Sequence, residues 1–220
     1  MTGSEARLVA VIDYGSGNLR SVAKALSHAA KDAGQSIVVT SHPEDVSQAE
    51  RIVLPGVGAF ADCWRGLSGL PGMIDALKSR VLDGGRPFLG VCVGMQLMAD
   101  EGSEHGVTKG LGWIKGRVTQ MAPRDPALKI PHMGWNSLAL TDAGRRHALT
   151  QNIADDAHAY FVHSYAWTDA IPGHVLATSD HGGAFPAIIG RDNLIGTQFH
   201  PEKSQAFGLG FLEAFLEWRP

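Results

Sequence analysis

The stretch that most limits how this chain folds is Pro87-Phe88-Leu89-Gly90-Val91-Cys92-Val93-Gly94, followed by Met95-Gln96-Leu97-Met98-Ala99. It reads as a buried strand, a tight turn and a helix. Glycines two before and two after the cysteine have the small-residue spacing of a nucleophile elbow, where one reactive side chain is lifted above a sheet and bulkier neighbours would clash. Cys92 would then stand at the N-terminus of the following helix, whose dipole and free N–H groups favour a thiolate over a thiol and can also meet an oxyanion. Taken alone, the same residues are equally compatible with a buried, inert cysteine.

The surrounding pattern is α/β. Leu8 to Ile12 is a short β-branched run ending in the turn residues Asp13 to Asn18, and Leu19, Val22, Ala23 and Leu26 then recur at helical spacing, with Gly34 as a stop. Ile37 to Val39 and Arg51 to Leu54 are further strand candidates, the latter running into Pro55-Gly56-Val57-Gly58-Ala59-Phe60, a loop that exposes backbone amides. Met73, Leu77 and Val81 predict a helix that ends near Gly84-Gly85. Strand and helix alternate, as a parallel sheet requires. In the second half, Trp113-Ile114, Val118, Ser137 to Leu140, Tyr160 to Val162, Val175 to Ala177 and Ala187 to Ile189 predict an antiparallel meander. The parallel pattern returns at Leu194 to Phe199, before a last helix whose Phe207, Phe211, Phe215 and Trp218 form a core-packing stripe.

Size and charge narrow the function. A chain of 220 residues suits one α/β domain, and a formal net charge of -3 with scattered Lys and Arg gives no field for nucleic acid or an anionic membrane. Cys63 and Cys92 are the only cysteines, which points to a reducing compartment, the cytoplasm, rather than a disulfide scaffold. The apolar run after the polar N-terminus is too short for a signal peptide or membrane span. The ten histidines include no His-Glu-x-x-His pair, and neither a zinc knuckle, a calcium loop, a P-loop nor a dinucleotide fingerprint is present. No metal and no cofactor are expected.

His200 and Glu202 lie one residue apart at the end of a strand candidate, so an extended backbone would point both to one face. A carboxylate there can hold the imidazole, and with Cys92 this supplies a nucleophile, a base and an orienting group. By itself His-Pro-Glu also describes a turn with a solvated carboxylate. Both segments end strands, where open α/β sheets place their sites.

These residues resemble the class I glutamine amidotransferases, which carry a cysteine elbow, a downstream His-Pro-Glu and a glycine-rich oxyanion strand. Within that class the chain resembles the glutaminase subunits of the imidazole glycerol phosphate synthases in six ordered blocks: Asp13 to Leu19, Leu54 to Phe60, Gly90 to Gln96, Pro131 to Asn136, Tyr160 to Tyr165 and Gln198 to Gln205. The resemblance implies a three-layer, flavodoxin-like α/β fold, with a mostly parallel central sheet and an added antiparallel section. The N-terminal residues lie outside the resemblance, and a flexible tail is expected over residues 1–6, with a single amidotransferase domain over 7–220. Carried over, Cys92, His200 and Glu202 form the triad, while Val93 with Gly56 or Val57 supplies the oxyanion hole. Gly56, Gln96, Ser164 and Tyr165 hold glutamine. Val93 replaces the family's usual leucine, and Asp180 to Gly183 departs from a tyrosine-glycine usual nearby.

The resemblance also implies a heterodimer with a TIM-barrel cyclase subunit that consumes the released ammonia in histidine biosynthesis, with Asn18, Trp135, Tyr160 and Lys203 at the subunit interface. A core tryptophan is the competing reading of Trp135. Three other functions stay open at this point: a glutaminase for another acceptor, a stand-alone cysteine hydrolase on γ-glutamyl substrates, and a non-catalytic binding subunit.

Overall fold

A computed structural model describes residues 7–31 and 34–220, so the expected flexible tail over residues 1–6 lies outside the described residues. The first half alternates as its sequence pattern requires. Strands β1 (Arg7–Ile12), β2 (Gln35–Thr40), β3 (Arg51–Gly56) and β4 (Phe88–Cys92) are connected through α1 (Leu19–Ala29), α2 (Pro43–Gln48), α3 (Phe60–Ser68) and α4 (Met73–Leu77). A π-helical segment, Lys78–Asp83, continues α4 and stops at Gly84, where the glycines predicted an end. Every residue of β3 and β4 is buried, which is why these runs carry no polar alternation.

After β4 come the single turn α5 (Val93–Gln96) and the strands β5 (Glu101–Gly102), β6 (Thr108–Lys109), β7 (Arg117–Gln120), β8 (His132–Ser137) and β9 (Ala139–Leu140). Then follow α6 (Asp142–Arg146), β10 (His158–His163), β11 (Tyr165–Thr168), β12 (Val175–Asp180), β13 (Ala184–Arg191), β14 (Leu194–Thr197) and α7 (Gln205–Glu217). The main sheet has eight strands in the order β2-β1-β3-β4-β14-β13-β12-β9. It is parallel from β2 through β14 and antiparallel beyond, the expected mostly parallel sheet with an antiparallel addition.

The expected meander divides into three parts. Besides the antiparallel end of the main sheet there are a β8/β10 ribbon and a small sheet ordered β11-β7-β5-β6. Trp113-Ile114 forms no strand; Trp113 instead packs edge-on against Phe88, with ring centroids 5.0 Å apart. Phe211 and Phe215 of α7 are buried in the core, as their spacing predicts, and Trp218 is buried just past the helix end. The C-terminus of α7 also meets a buried charge. Arg51 donates from Nε to the Phe215 carbonyl at 3.1 Å and from Nη2 to the Trp218 carbonyl at 2.8 Å, so a cation answers the negative end of the helix.

Candidate active site

Cys92 ends β4 with φ 55° and ψ -112°, a conformation that L-residues rarely occupy. The flanking glycines explain how the chain reaches it. A Cβ on Gly90 would stand 2.6 Å from the Gly94 carbonyl oxygen, and one on Gly94 would stand 1.8 Å from the Leu54 carbonyl oxygen of β3. No other residue fits at Gly94 without moving a neighbouring strand. One expectation changes here, because α5 is a single turn rather than a longer helix. The aligned dipoles behind the sulfur are correspondingly few, although the first free amides of the turn remain.

Cys92 and His200 line one cavity of about 160 Å³, together with Val57, Val93, Gln96, Val162, His163, Ser164 and Tyr165. β14 ends at Thr197, and Pro201–Lys203 is a 3-10 turn. His200 and Glu202 therefore meet through a turn, where the sequence suggested an extended strand. The result is the same pairing: His200 Nδ1 lies 2.9 Å from Glu202 Oε1, with both side chains buried. The carboxylate takes Nδ1–H, which leaves Nε2 as the nitrogen without that partner. Nε2 is buried and makes no hydrogen bond of ordinary geometry among the described residues. Burial by itself would lower the pKa of this imidazole. Hydrogen bonding and negative charge from Cys92 and Glu202 outweigh it and push the pKa up to about 10.

The expected glutamine and oxyanion residues divide by position. Gln96, Ser164 and Tyr165 line the cavity, whereas Gly56 sits beneath it at the end of β3, paired with Cys92. A Cβ on Gly56 would come within 2.7 Å of the Gly94 amide and of the Tyr14 hydroxyl. Val93 is in the cavity wall directly after Cys92. The Val57 amide is committed elsewhere: it donates to Ser16 Oγ at 3.3 Å, while Ser16 Oγ–H donates to the Val57 carbonyl at 2.5 Å. That carbonyl also accepts from Cys63 Sγ at 3.3 Å, which gives the second cysteine a place behind the loop.

The residues expected at a subunit interface separate too. Trp135 is 46 % exposed, which removes the core reading. It meets Tyr160 edge to face, with centroids 6.1 Å apart, and Lys203 Nζ lies 5.7 Å from the Tyr160 ring centroid. Exposed Met133 shares β8 with Trp135. Asn18 lies against the His200–Glu202 pair, with its Nδ2 donating to Glu202 Oε1 at 3.4 Å.

Sequence reasoning missed Ser16, His163 and Gln198. The signal for Gln198 was available, since it precedes His200 by two residues and would share its face on an extended strand. His163 is neutral here, because burial drives its pKa down to about 3, and burial likewise holds its neighbour His132 down at about 4. Among the described residues no group of three or more His, Cys, Asp or Glu is placed to hold a metal ion, and no helix is long and apolar enough to cross a membrane.

A strand-borne cysteine elbow, a His-Glu pair and a mixed sheet define a class, and residues 10–217 match the family profile of the class I glutamine amidotransferases. The chain belongs to that family. Crystal structures share the fold: one described as a glutamine amidotransferase superposes with a TM-score of 0.69 at 19% identity, covering 94% of this chain and 98% of that one. Another, described as a putative GMP synthase protein from Thermoplasma acidophilum, gives 0.66 at 17% identity, covering 96% and 93%.

Closer relatives narrow the assignment. The chain is 54% identical over 220 residues to the imidazole glycerol phosphate synthase subunit HisH of Zymomonas mobilis, covering 100% of both. It is 59% identical over 214 residues to the HisH subunit of Rhodospirillum rubrum, covering 96% of this chain and 99% of that one. The chain therefore belongs to the HisH subunits of imidazole glycerol phosphate synthase.

Proposed function

We propose that the chain is one glutaminase domain over residues 7–220, which hydrolyses glutamine at Cys92 and passes the ammonia to a cyclase partner in histidine biosynthesis. The observation that carries this reading is the buried His200–Glu202 pair opening onto the same cavity as the strained elbow cysteine. His200 Nε2 takes the Cys92 proton, and the thiolate attacks the side-chain amide carbon of glutamine. The carbonyl oxygen becomes an oxyanion, which the Val93 amide meets. Collapse breaks the C–N bond, His200 returns its proton to the departing nitrogen, and ammonia leaves a glutamyl thioester on the sulfur. Water, deprotonated by His200, then attacks the thioester, and glutamate leaves as the sulfur regains its proton.

Glu202 fixes the imidazole and stabilises its cationic form. Gln96, Ser164 and Tyr165 hold the glutamine backbone in the cavity. The second oxyanion donor is the Val57 amide, and the Ser16 contact keeps it out of the site in this state. One such donor is worth roughly 2.7–4 kcal/mol of barrier. A partner that turns the Val57 peptide would switch the reaction on without touching the triad.

That partner is a TIM-barrel cyclase, docked on the surface carrying Trp135, Tyr160 and Lys203. The cyclase turns a phosphoribulosyl formimino aminoimidazole carboxamide ribonucleotide, with ammonia, into imidazole glycerol phosphate and an aminoimidazole carboxamide ribonucleotide, and the pair works in the cytoplasm. Asn18, which donates to Glu202 Oε1, belongs to the same interface on this reading. The test is glutamate release by the chain alone and with the ribonucleotide-bound cyclase. A slow rate alone and a large rise with the partner are expected. Equal rates would favour a stand-alone hydrolase.

A further inference from the structure

Gln198 is fully buried two residues before His200, and its Nε2 stands 3.7 Å from the Cys92 sulfur. Which end of this amide faces the sulfur is settled by its neighbours. The Tyr165 carbonyl can only accept, and it takes Gln96 Nε2–H at 3.1 Å. The second N–H of Gln96 then reaches Gln198 Oε1 at 3.0 Å, so the amino group of Gln198 is turned toward the sulfur.

The Tyr165 carbonyl is itself held from the far side. It accepts from His163 Nδ1 at 2.9 Å, which makes His163 Nε2 the acceptor for His132 Nδ1–H at 3.0 Å. His132 Nε2 in turn accepts from Asn136 Nδ2 at 3.2 Å. The Asn136 amide is pinned by donating to the Asp180 carbonyl at 2.8 Å and accepting from the Ser137 amide at 2.8 Å. Donors thus converge on the Tyr165 carbonyl from both sides, and every tautomer and amide orientation along the way follows.

We propose that Gln198 is a further catalytic residue, whose Nε2–H donates to the Cys92 thiolate, and that Gln96 and the Tyr165 carbonyl are positioning groups that keep this donor aimed at the sulfur. The inference rests on the glutaminase reading above and adds the group that stabilises the sulfur anion. The need is physical. Only one helical turn follows Cys92, so its dipole is small. The ionisable groups facing the sulfur or its cavity are His200 after β14, with Glu202 behind it, Cys63 on α3, Tyr14 after β1, His163 on β10 and Glu104 in the cavity wall. Of these only His200 supplies a cation, and it gives its proton away during turnover. A neutral amide donor stays in place throughout. It favours the thiolate at attack, does little for the weakly accepting thioester sulfur, and acts again when deacylation expels the thiolate.

The experiment compares the full-length wild type with Gln198→Leu and Gln198→Glu, reading iodoacetamide alkylation of Cys92 across pH by peptide mapping, with Cys63 as internal control. Gln198→Leu removes the donor. Gln198→Glu keeps an oxygen for Gln96 and the side-chain shape, so it decides the matter if the leucine variant does not fold. Both are expected to slow Cys92 alkylation near neutral pH about tenfold or more, the usual weight of a hydrogen bond to a charged group. The Cys92 profile should move to higher pH, Cys63 should be unaffected, and kcat should fall with a smaller change in KM for Gln198→Glu. A folded Gln198→Glu chain with the wild-type alkylation profile would overturn the inference. A wild type that alkylates normally but releases no glutamate with its partner would overturn the glutaminase reading instead, and the alkylation comparison would still stand.

Discussion

Removing the Ser16 hydroxyl should make the isolated chain a faster glutaminase. Two hydrogen bonds with this one side chain hold Val57 on both sides of its Cα: its amide donates to Ser16 Oγ at 3.3 Å, restraining the Gly56–Val57 peptide, and its carbonyl accepts at 2.5 Å, restraining the Val57–Gly58 peptide. Each neutral bond at a water-accessible site is worth ~0.5–1.5 kcal/mol net, and Cys63 retains part of the hold on the carbonyl. Ser16→Ala therefore loosens the peptide by ~1–2 kcal/mol, a factor of about 5–30 in population. Gly56 and Gly58, the latter at φ 93°, stand on either side of Val57, and neither carries a side chain that must move when these peptides turn. The ceiling is the worth of one complete oxyanion donor, ~2.7–4 kcal/mol. Glutamate release by the free chain, measured with a coupled dehydrogenase against a Cys92→Ala blank, should rise about 5–30-fold on that basis. The partner-stimulated rate should change little, because the clamp is already open there. A folded Ser16→Ala chain whose free rate is unchanged or lower would show that Ser16 supports the active loop instead of restraining it.

Other outcomes follow from the same contacts. Gly94→Ala should destabilise the chain by ~3 kcal/mol or more in urea denaturation, since its Cβ would sit 1.8 Å from the Leu54 oxygen. Gly210→Ala, in α7 with nothing near its Cβ, should instead stabilise by ~0.5–1 kcal/mol, and matching effects at the two sites would undo the steric argument. His163 and His132 have folded-state pKa values of about 3 and about 4, below the ordinary 6.5. Their neutral forms are favoured by the fold, so the associated stability is complete above about pH 6.5 and is lost as pH falls toward those values. Urea midpoints should drop accordingly, and His163→Gln should flatten the drop; an identical pH dependence in that variant would contradict the assignment.

What was legible in the sequence is what local sterics write into it. The glycines around Cys92 announce the elbow because a Cβ at either position would collide with backbone. The alternating first half announces the parallel sheet for a similar reason, since buried strands and amphipathic helices differ in period. His200 and Glu202 do pair, but through a 3-10 turn and not an extended strand, because both conformations bring positions two apart within reach. Trp113-Ile114 looked like a strand because an apolar pair carries too little periodicity to separate a strand from a packed loop. Arg51 and Ser16 give no sign in the sequence because their partners come from distant segments, α7 for Arg51 and the Val57 loop for Ser16, whereas Gln198 shares the spacing of His200 and only its partner on the elbow is unreadable. Asn18, expected at an interface, touches the Glu202 carboxylate, a contact that its place in the sequence does not announce.

The central claim is that Cys92 carries the acyl group from glutamine. Chain and cyclase partner, mixed with glutamine, acid-quenched during turnover and mapped by mass spectrometry, test it most directly. A glutamyl adduct confined to the Cys92 peptide and absent from Cys63 is the expected result. Steady glutamate release with no adduct on Cys92, or undiminished release from Cys92→Ala, would contradict the account.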